Sequence, residues 1–505
     1  MTSHQGLRPL VVLVLAPFAG ALITLSLAPF NFWPAGIISC ALYAYLLCTC
    51  SVKQAIWRSW LFGVGMFGTG VSWVYVSIEV YGGAGPLLAG FLIVLFCAGL
   101  SVLYQVSFGW FYVRFVRALP GGMLVGFPAT WVLAEWLRSW LLTGFPWLYL
   151  GYAHLDTPIA GWAPVVGVYG LSFVCALTGT CLFLAWRSRT AIACTTYAVI
   201  VLTLWIGGAV LKPIEWVVRA SETPLNVVIY QPNVPQEHKW DRDWYQPILR
   251  QLRTGSEPHY GADLLIWPEA AIPNFYQRAQ GFLGPIARRA ETANTTLFTG
   301  IPYLVEEGAG YYNSVVALGQ GEGVYHKQHL VPFGEYVPLE GLLRGLIAFF
   351  DLPMSAFSAG GSDQPPLRAG SYRVAPYVCY EVVYPQMVAR SARQADLLLT
   401  VSNDAWFGHS IGPLQHLQMA QMRALENGRY MIRGTNNGVS AIINQRGQII
   451  AQADQHVEAT LIGQANVMMG HTPFASFGVI PVVAGCAIAL VLMALMYFGF
   501  WRDKD

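Results

Sequence analysis

The chain has 505 residues, of which 55% are hydrophobic and 11% charged, whereas about 25% of the residues in a soluble protein are charged. The formal net charge of +2, without a lysine-rich tail or an arginine stripe, gives no indication of nucleic-acid binding. Charge is sparse before residue 220 and after residue 475, so the composition predicts membrane segments on both sides of a polar domain.

Eight apolar segments are candidate membrane spans, because a span needs about 20 mostly apolar residues. They lie at 9–29, 33–50, 56–78, 86–112, 121–142, 159–186, 191–211 and 476–500. No small-residue cleavage site stands out after the first, and a second apolar run follows almost directly, which favours a retained helix over a signal peptide. We therefore expect a transmembrane domain over residues 1–220, a polar domain over 221–470 and a final transmembrane helix over 471–505.

The lysines and arginines of the short loops predict the orientation of these spans. Nine fall on one side, which is then cytoplasmic: Arg8, Lys53, Arg58, Arg114, Arg117, Arg187, Arg189, Arg502 and Lys504. Arg138 and Lys212 fall on the other side. Both termini are therefore expected in the cytoplasm, and the polar domain in the periplasm if the cell is Gram-negative.

Few ionisable residues fall within the predicted spans, and these do not favour transport through the bundle. Glu135 and Arg138 have the i,i+3 spacing of a helical ion pair. Glu79 and Arg138 stand near helix ends, where long side chains can reach the interface by snorkelling.

The polar domain alternates short β-rich runs with amphipathic helices, the pattern of a layered α/β fold. Strands are predicted at 225–231, 263–267, 295–301, 313–318, 374–380, 395–402, 438–443 and 458–463. Helices are predicted at 241–254, 277–293, 383–394 and 412–428. An apolar segment at 342–358 is too short and broken to span; it is either a core helix or an arm that dips into the outer leaflet, and we favour the arm.

Three ionisable residues stand at strand ends or sharp turns, where catalytic groups are common. Cys379 is the one cysteine of nine that falls in the polar domain, and the others lie in apolar, helix-length runs. A thiol with a pKa of about 8.5 needs a base to take its proton and a cation to favour the thiolate. Glu269 is the expected base; Lys327 is the expected cation and oxyanion stabiliser, with the Tyr380 N–H as a second donor. Each residue alone is more often structural or solvated, and the combination favours catalysis.

Three motifs, in this order, resemble the Glu-Lys-Cys triad of the nitrilase superfamily. They are Leu264-Leu265-Ile266-Trp267-Pro268-Glu269, Tyr325-His326-Lys327-Gln328-His329-Leu330-Val331-Pro332-Phe333-Gly334-Glu335-Tyr336-Val337-Pro338 and Val378-Cys379-Tyr380-Glu381. With about seven predicted spans before the polar domain and one after it, the whole chain resembles the apolipoprotein N-acyltransferase family.

This resemblance implies a multi-span α-helical membrane domain and an exported α/β domain, a nitrilase-like αββα sandwich. The enzyme would sit in the bacterial inner membrane and move an acyl chain from a phospholipid, typically phosphatidylethanolamine, to the α-amino group of a diacylglyceryl-cysteine apolipoprotein. Glu269 would be the general base, Lys327 the oxyanion stabiliser and Cys379 the nucleophile of a ping-pong reaction through a thioester. Other residues at family positions linked to activity are Glu335, Tyr380, Glu381, Trp240 and Arg344.

Other interpretations stay open at this point. A membrane-tethered amidase would share the triad but pass its acyl group to water, and a transporter or receptor would not need an activated Cys379. His326 and His329 have i,i+3 spacing, but neither His409 nor His416 completes a metal-binding pattern, so no metal or cofactor is expected. Phe349 and Phe350 are expected to contact lipid through the 342–358 arm, and the protein is expected to be a monomer.

Overall fold

The fold was analysed in a computed structural model, which describes residues 8–305, 310–336 and 357–502, with side chains up to residue 497. The chain divides into two compact units. The first contains Met1–Tyr75, Pro86–Ile214 and Phe477–Asp505, and the second contains Val76–Gly85 and Glu215–Ser476.

The first unit is helical and strongly apolar. Its helices are Pro9–Ser26, Pro34–Leu47, Val52–Gly70, Pro86–Val116, Gly122–Leu137, Ala163–Ser188, Ala191–Leu211 and Ile480–Arg502. The first and third pack closely, because a Cβ atom at Gly20 would meet the carbonyl of Phe62 and one at Gly65 would meet that of Pro17. Small residues at such crossings allow the close backbone approach typical of membrane helices.

Each predicted span overlaps one of these helices. Among the described residues, five helices are long and apolar enough to cross a membrane, or six if the bent pair Val52–Gly70 and Val74–Tyr81 is one span. Pro34–Leu47 and Gly122–Leu137 are apolar but shorter. The count of about eight spans therefore stays a prediction.

The predicted snorkelling of Arg138 is wrong. Its side chain is only 2% exposed, and its guanidinium donates to the Leu148 carbonyl at 3.3 Å and lies over the rings of Phe67 and Tyr149. These local partners make it unnecessary for the cation to reach an interface. Glu135 is equally buried and accepts hydrogen bonds from the Trp131 indole and the Leu150 amide.

The second unit is built on two large sheets and a two-stranded ribbon. Its strands are β1 Val218–Arg219, β2 Leu225–Gln231, β3 Leu264–Ile266, β4 Thr296–Leu304, β5 Tyr311–Gly319, β6 Gly321–Glu322, β7 Val324–His326, β8 Leu367–Ala369, β9 Tyr372–Val378, β10 Leu397–Ser402, β11 Met431–Thr435, β12 Ala441–Ile443, β13 Ile449–Gln452, β14 Ala459–Ala465 and β15 Met468–Met469. Within the described chain, one sheet has the order β14-β2-β3-β4-β5-β7 and the other β13-β12-β11-β10-β9-β8-β6. The ribbon pairs β1 with β15.

Parallel strands form the centre of each large sheet, namely β2-β3-β4 in the first and β9-β10-β11 in the second. The sheets face each other across one core, where Ile229 and Ile266 of the first pack with Val378, Leu399 and Ile432 of the second. The central strands β3 and β10 are buried along their whole length, as expected where a parallel sheet is covered on both faces.

Helices cover the outer faces of both sheets. Arg242–Ser256 and Gln280–Thr292 pack on the six-stranded sheet through Leu252, Leu283 and their neighbours. Pro385–Ala392 and Gly412–Asn427 pack together, and the latter contacts β11. The predicted αββα sandwich is therefore confirmed, as are the four predicted helices, to within a few residues.

The eight predicted strands are also present. The sequence analysis missed the short strands β1, β6, β7, β8, β13 and β15, and it also missed β11, which belongs to the parallel core of the second sheet. Its central position is occupied by Arg433, a charged residue that interrupts the apolar pattern of a buried strand. The arginine is tolerated there because it pairs with Asp404, with Nη2 2.7 Å from Oδ2, and both side chains are fully buried.

Candidate active site

Cys379 follows β9, a central strand of the seven-stranded sheet, and begins a single turn of 3-10 helix, Cys379–Val383. Its φ of +51° is left-handed, an unusual conformation for a residue with a side chain. The residue as a whole is half-buried. Burial and then the charge of Glu269 raise the pKa of Cys379, against a lowering effect from Lys327. A raised pKa favours the neutral thiol, which would need a base in order to act as a nucleophile.

Glu269 lies just beyond the end of β3. This is the edge of the six-stranded sheet at which the parallel strands β2, β3 and β4 end. Its Oε1 accepts a hydrogen bond from the Asn313 amide at 2.7 Å, and its Oε2 accepts one from the Asn403 backbone N–H at 2.7 Å. Burial raises the pKa of Glu269, while the charge of Lys327 opposes the rise. A carboxylate with a raised pKa is a stronger base, which suits the removal of a thiol proton.

Lys327 follows β7 and is 1% exposed. Its Nζ lies 2.8 Å from both carboxylate oxygens of Glu335. Burial alone favours the neutral amine, but the charges of Glu335 and then Glu269 raise the pKa of Lys327 above its ordinary value. Lys327 is therefore a fixed cation beside Glu269 and Cys379.

Asn313, on β5, joins the two carboxylates and was missed by the sequence analysis. Its amide nitrogen donates to Oε1 of Glu269 at 2.7 Å and to Oε1 of Glu335 at 3.0 Å. Asn403 was also missed, although it directly follows β10, the strand next to that of Cys379. Since the ends of adjacent parallel strands meet at one sheet edge, the Ser402-Asn403-Asp404 run was the signal that could have revealed it.

Glu381 connects the turn that carries Cys379 with the loop that follows Lys327. It is fully buried, and its Oε2 accepts from the Val378 N–H at 2.7 Å while its Oε1 accepts from the N–H groups of Gln328 and His329 at 2.6 and 3.2 Å. The Tyr325 hydroxyl donates to the same Oε1 at 3.0 Å. Burial raises the pKa of Glu381 to about 7, and the backbone donors work against that rise. These contacts indicate that Glu381 holds the two segments in place.

Tyr380 and Trp240, also singled out from the sequence, occupy different environments. The Tyr380 side chain is 8% exposed and packs edge-on against Tyr384. Trp240 is 40% exposed and directly follows Lys239, whose Nζ donates to the backbone carbonyl of Glu269 at 3.0 Å. Burial lowers the pKa of Lys239 to about 8, although Glu269 raises it.

The remaining sequence candidates are placed as follows. Arg344, Phe349 and Phe350, with most of the 342–358 segment, lie outside the described residues. His326 Nδ1 is 2.7 Å from the Ser314 hydroxyl, and the His329 ring stacks on Tyr384.

The site thus combines a thiol at a sharp turn, a buried carboxylate and a buried cation that interact electrostatically. Glu269 and Lys327 are carried by the six-stranded sheet, and Cys379 by the seven-stranded sheet. Such a set can deprotonate the thiol as it attacks a carbonyl and then hold the oxyanion that forms.

Two family models match separate parts of the chain. Residues 19–181 match the apolipoprotein N-acyltransferase N-terminal domain, and residues 235–473 match the carbon-nitrogen hydrolase family. The boundary between the matches falls close to the start of the second unit's main segment at Glu215.

Relatives that match almost the whole chain are named apolipoprotein N-acyltransferase. The chain is 48% identical over 489 residues to apolipoprotein N-acyltransferase from Pseudomonas aeruginosa (strain UCBPP-PA14), covering 96% of this chain and 95% of the relative. It is 39% identical over 516 residues to the Vibrio parahaemolyticus protein of that name, covering 99% of each.

Solved structures match about half of the chain. Yeast Nit3, a member of the nitrilase superfamily, is 17% identical and covers 50% of this chain and 92% of its own, with a TM-score of 0.38. An amidase from Nesterenkonia sp. is 20% identical, with coverages of 50% and 93% and a TM-score of 0.32.

Proposed function

Because the chain belongs to the apolipoprotein N-acyltransferase family, and so is an acyltransferase that N-acylates lipoproteins, we propose that it works through a thioester on Cys379. The donor is a membrane phospholipid, with phosphatidylethanolamine as the proposed species. The acceptor is the α-amino group of a diacylglyceryl-cysteine at a lipoprotein N-terminus. A monomer carries the whole site.

In the first half-reaction, Glu269 takes the thiol proton of Cys379 as the sulfur attacks the glycerol ester. Lys327 and the Tyr380 N–H hold the oxyanion of the tetrahedral intermediate. Glu269 then returns the proton to the glycerol oxygen as the lysophospholipid leaves. A thioester remains on Cys379.

In the second half-reaction, the lipoprotein amine attacks the thioester carbon and Glu269 takes a proton from its nitrogen. The carbon–sulfur bond then breaks, and Glu269 passes that proton to the Cys379 sulfur, which restores the thiol. The amide that forms is more stable than the thioester, which drives this half forward. Using one thiol in two steps lets two large, membrane-bound substrates occupy the site in turn.

The observation that carries this proposal is the contact network of Glu269. Two neutral donors, Asn313 and the Asn403 N–H, hold its carboxylate, so that it stays available as a base instead of being neutralised by Lys327. The lysine is paired with Glu335, which keeps it cationic without using the base as its partner.

Intact-protein mass spectrometry tests the mechanism. Purified protein given phosphatidylethanolamine without acceptor should gain one acyl mass, which hydroxylamine should remove and a diacylglyceryl-cysteine peptide should discharge as an N-acyl product. C379A should gain no mass. Lysophospholipid release that strictly requires the acceptor, with no trapped adduct, would refute the thioester. Rapid loss of the adduct to water would instead favour the amidase interpretation.

The proposal includes the topology. The chain crosses the inner membrane about eight times, in the transmembrane segments 1–220 and 471–505, with both termini cytoplasmic and residues 221–470 in the periplasm. A membrane-impermeant thiol reagent should therefore label Cys379 in intact spheroplasts, and C379A should lose that label. C194S is the matched control, because Cys194 is an exposed cysteine on the helix Ala191–Leu211. Labelling of Cys379 only after lysis would invert the topology.

A further inference from the structure

The backbone of Cys379 is held in a conformation that needs outside support. A non-glycine residue at a φ of +51° is strained, and such residues persist only where their surroundings fix them. The β9 ladder supports the chain up to Val378, where Glu381 accepts the backbone N–H. The Cys379 carbonyl is supported from a different direction, by the helix Gly412–Asn427.

That support comes from His416. Its Nε2 lies 3.1 Å from the carbonyl oxygen of Cys379, and because a carbonyl only accepts, Nε2 carries the proton and donates. The ring is 1% exposed. Burial and then the charge of Arg433 lower the pKa of His416, which favours the neutral ring.

A buried charged pair holds the other ring nitrogen. His416 Nδ1 lies 3.2 Å from Nη2 of Arg433, which can only donate, and 3.3 Å from Oδ1 of Asp404, which can only accept. The same Nη2 lies 2.7 Å from Oδ2 of Asp404, and the Ser402 hydroxyl donates to Oδ1 of Asp404 at 2.6 Å. Arg433, Asp404 and Ser402 therefore place the ring and leave its Nε2–H directed at Cys379.

We infer that His416 is a positioning residue, which fixes the Cys379–Tyr380 peptide group through its carbonyl and thereby aims the Tyr380 N–H at the developing oxyanion. The C=O and N–H of one planar peptide point in opposite directions, so fixing the oxygen fixes the donor. A hydrogen bond to the carbonyl also polarises the amide and strengthens its N–H as a donor. The inference rests on the thioester mechanism proposed above.

Two reactions of the same thiol separate this role from thiol activation. In acylation the sulfur bonds to the ester carbon, the carbon–oxygen bond to glycerol breaks, and the proton passes through Glu269 to that oxygen. In alkylation by iodoacetamide the sulfur bonds to a CH₂ group and iodide leaves, with no oxyanion formed. Both reactions need Glu269 and Lys327, but acylation alone needs the Tyr380 N–H.

The test compares H416M with H416Q, two substitutions of similar shape of which only glutamine keeps a donor. Removal of a whole oxyanion donor lowers the rate by roughly 10²–10³, so a Tyr380 N–H that is displaced but still present should lower the rate of thioester formation by about 10- to 100-fold. We expect H416M to lose that factor in single-turnover thioester formation while iodoacetamide labelling stays within about threefold of wild type. H416Q should keep the ratio of the two rates within about threefold of wild type.

E426Q is the matched control, because Glu426 is fully buried on the same helix, about 15 Å further along its axis. It should lower the melting temperature without changing the ratio of acylation to alkylation. Equal loss of both reactions in H416M would show a merely structural role and overturn the inference. A tenfold fall of the ratio in H416Q would overturn it even if H416M does not fold. Absence of any wild-type adduct would instead refute the thioester mechanism.

Discussion

Replacement of Asn313 by leucine should raise the pH at which the enzyme becomes active. Asn313 donates to Glu269 at 2.7 Å and to Glu335 at 3.0 Å, so its amide favours the charged form of the base. A hydrogen bond to a charged group contributes about 1.5–3 kcal/mol, and one pKa unit corresponds to about 1.4 kcal/mol. The pKa of Glu269, which burial already raises, should therefore rise further when this donor is removed.

The sign of the pH effect follows from the role of Glu269. The base acts only when it is ionised, so a higher pKa moves the acid limb of the pH–rate profile upward. Well below that limb, N313L should form the thioester about 10- to 100-fold more slowly than wild type, and the difference should vanish at high pH. Leucine keeps the backbone contact in which the Asn313 carbonyl accepts from the Lys327 N–H at 2.8 Å.

Single-turnover acylation, measured by lysophospholipid release across the pH range, is the assay. N466L is the control, because the Asn466 amide also donates to a side chain, the Tyr430 hydroxyl at 2.8 Å, and belongs to no part of the site described above. Its acid limb should coincide with that of wild type. If N313L loses rate equally at every pH, Asn313 does not tune the base and the reasoning fails.

Three further predictions concern the oxyanion, the lipid arm and the buried support. K327M should slow thioester formation by roughly 10²–10³ in single-turnover measurements, and a near-wild-type rate would exclude Lys327 as an oxyanion donor. The double variant F349S/F350S, predicted from sequence alone, should weaken turnover of long-chain donors more than short-chain donors at nearly unchanged melting temperature; a loss of several kcal/mol would indicate core residues. D404A should lower the free energy of unfolding by about 3–5 kcal/mol in denaturant titrations, because it leaves the buried Arg433 without its carboxylate. A change below about 1 kcal/mol would show that the pair is not needed for stability.

Local sequence patterns were sufficient to predict the strand-end residues of the site. Short strand-forming runs precede Glu269 and Cys379 and predict where a strand gives way to a loop, and those positions agree with the ends of β3 and β9. The sandwich architecture followed from the alternation of such runs with amphipathic helices.

What the sequence could not supply depends on which strands are neighbours. Asn313 reaches Glu269 because β5 pairs with β4, which places Asn313 opposite Pro302. Local periodicity in the sequence does not indicate which strands pair. Asn403 reaches Glu269 from the facing sheet. Arg138 was misjudged for a related reason, since its partner Phe67 lies on the helix Val52–Gly70, far from Arg138 in the sequence.

The division of the triad between two sheets has a consequence for the newly made chain. Glu269 and Lys327 belong to a sheet whose strands, apart from β14, precede residue 327, whereas the sheet carrying Cys379 is formed mostly by residues after 366. Until these halves dock, Cys379 has neither its base nor its cation, and it reacts as an ordinary cysteine. Under the mechanism proposed above, the reactive nucleophile therefore exists only once the fold is complete.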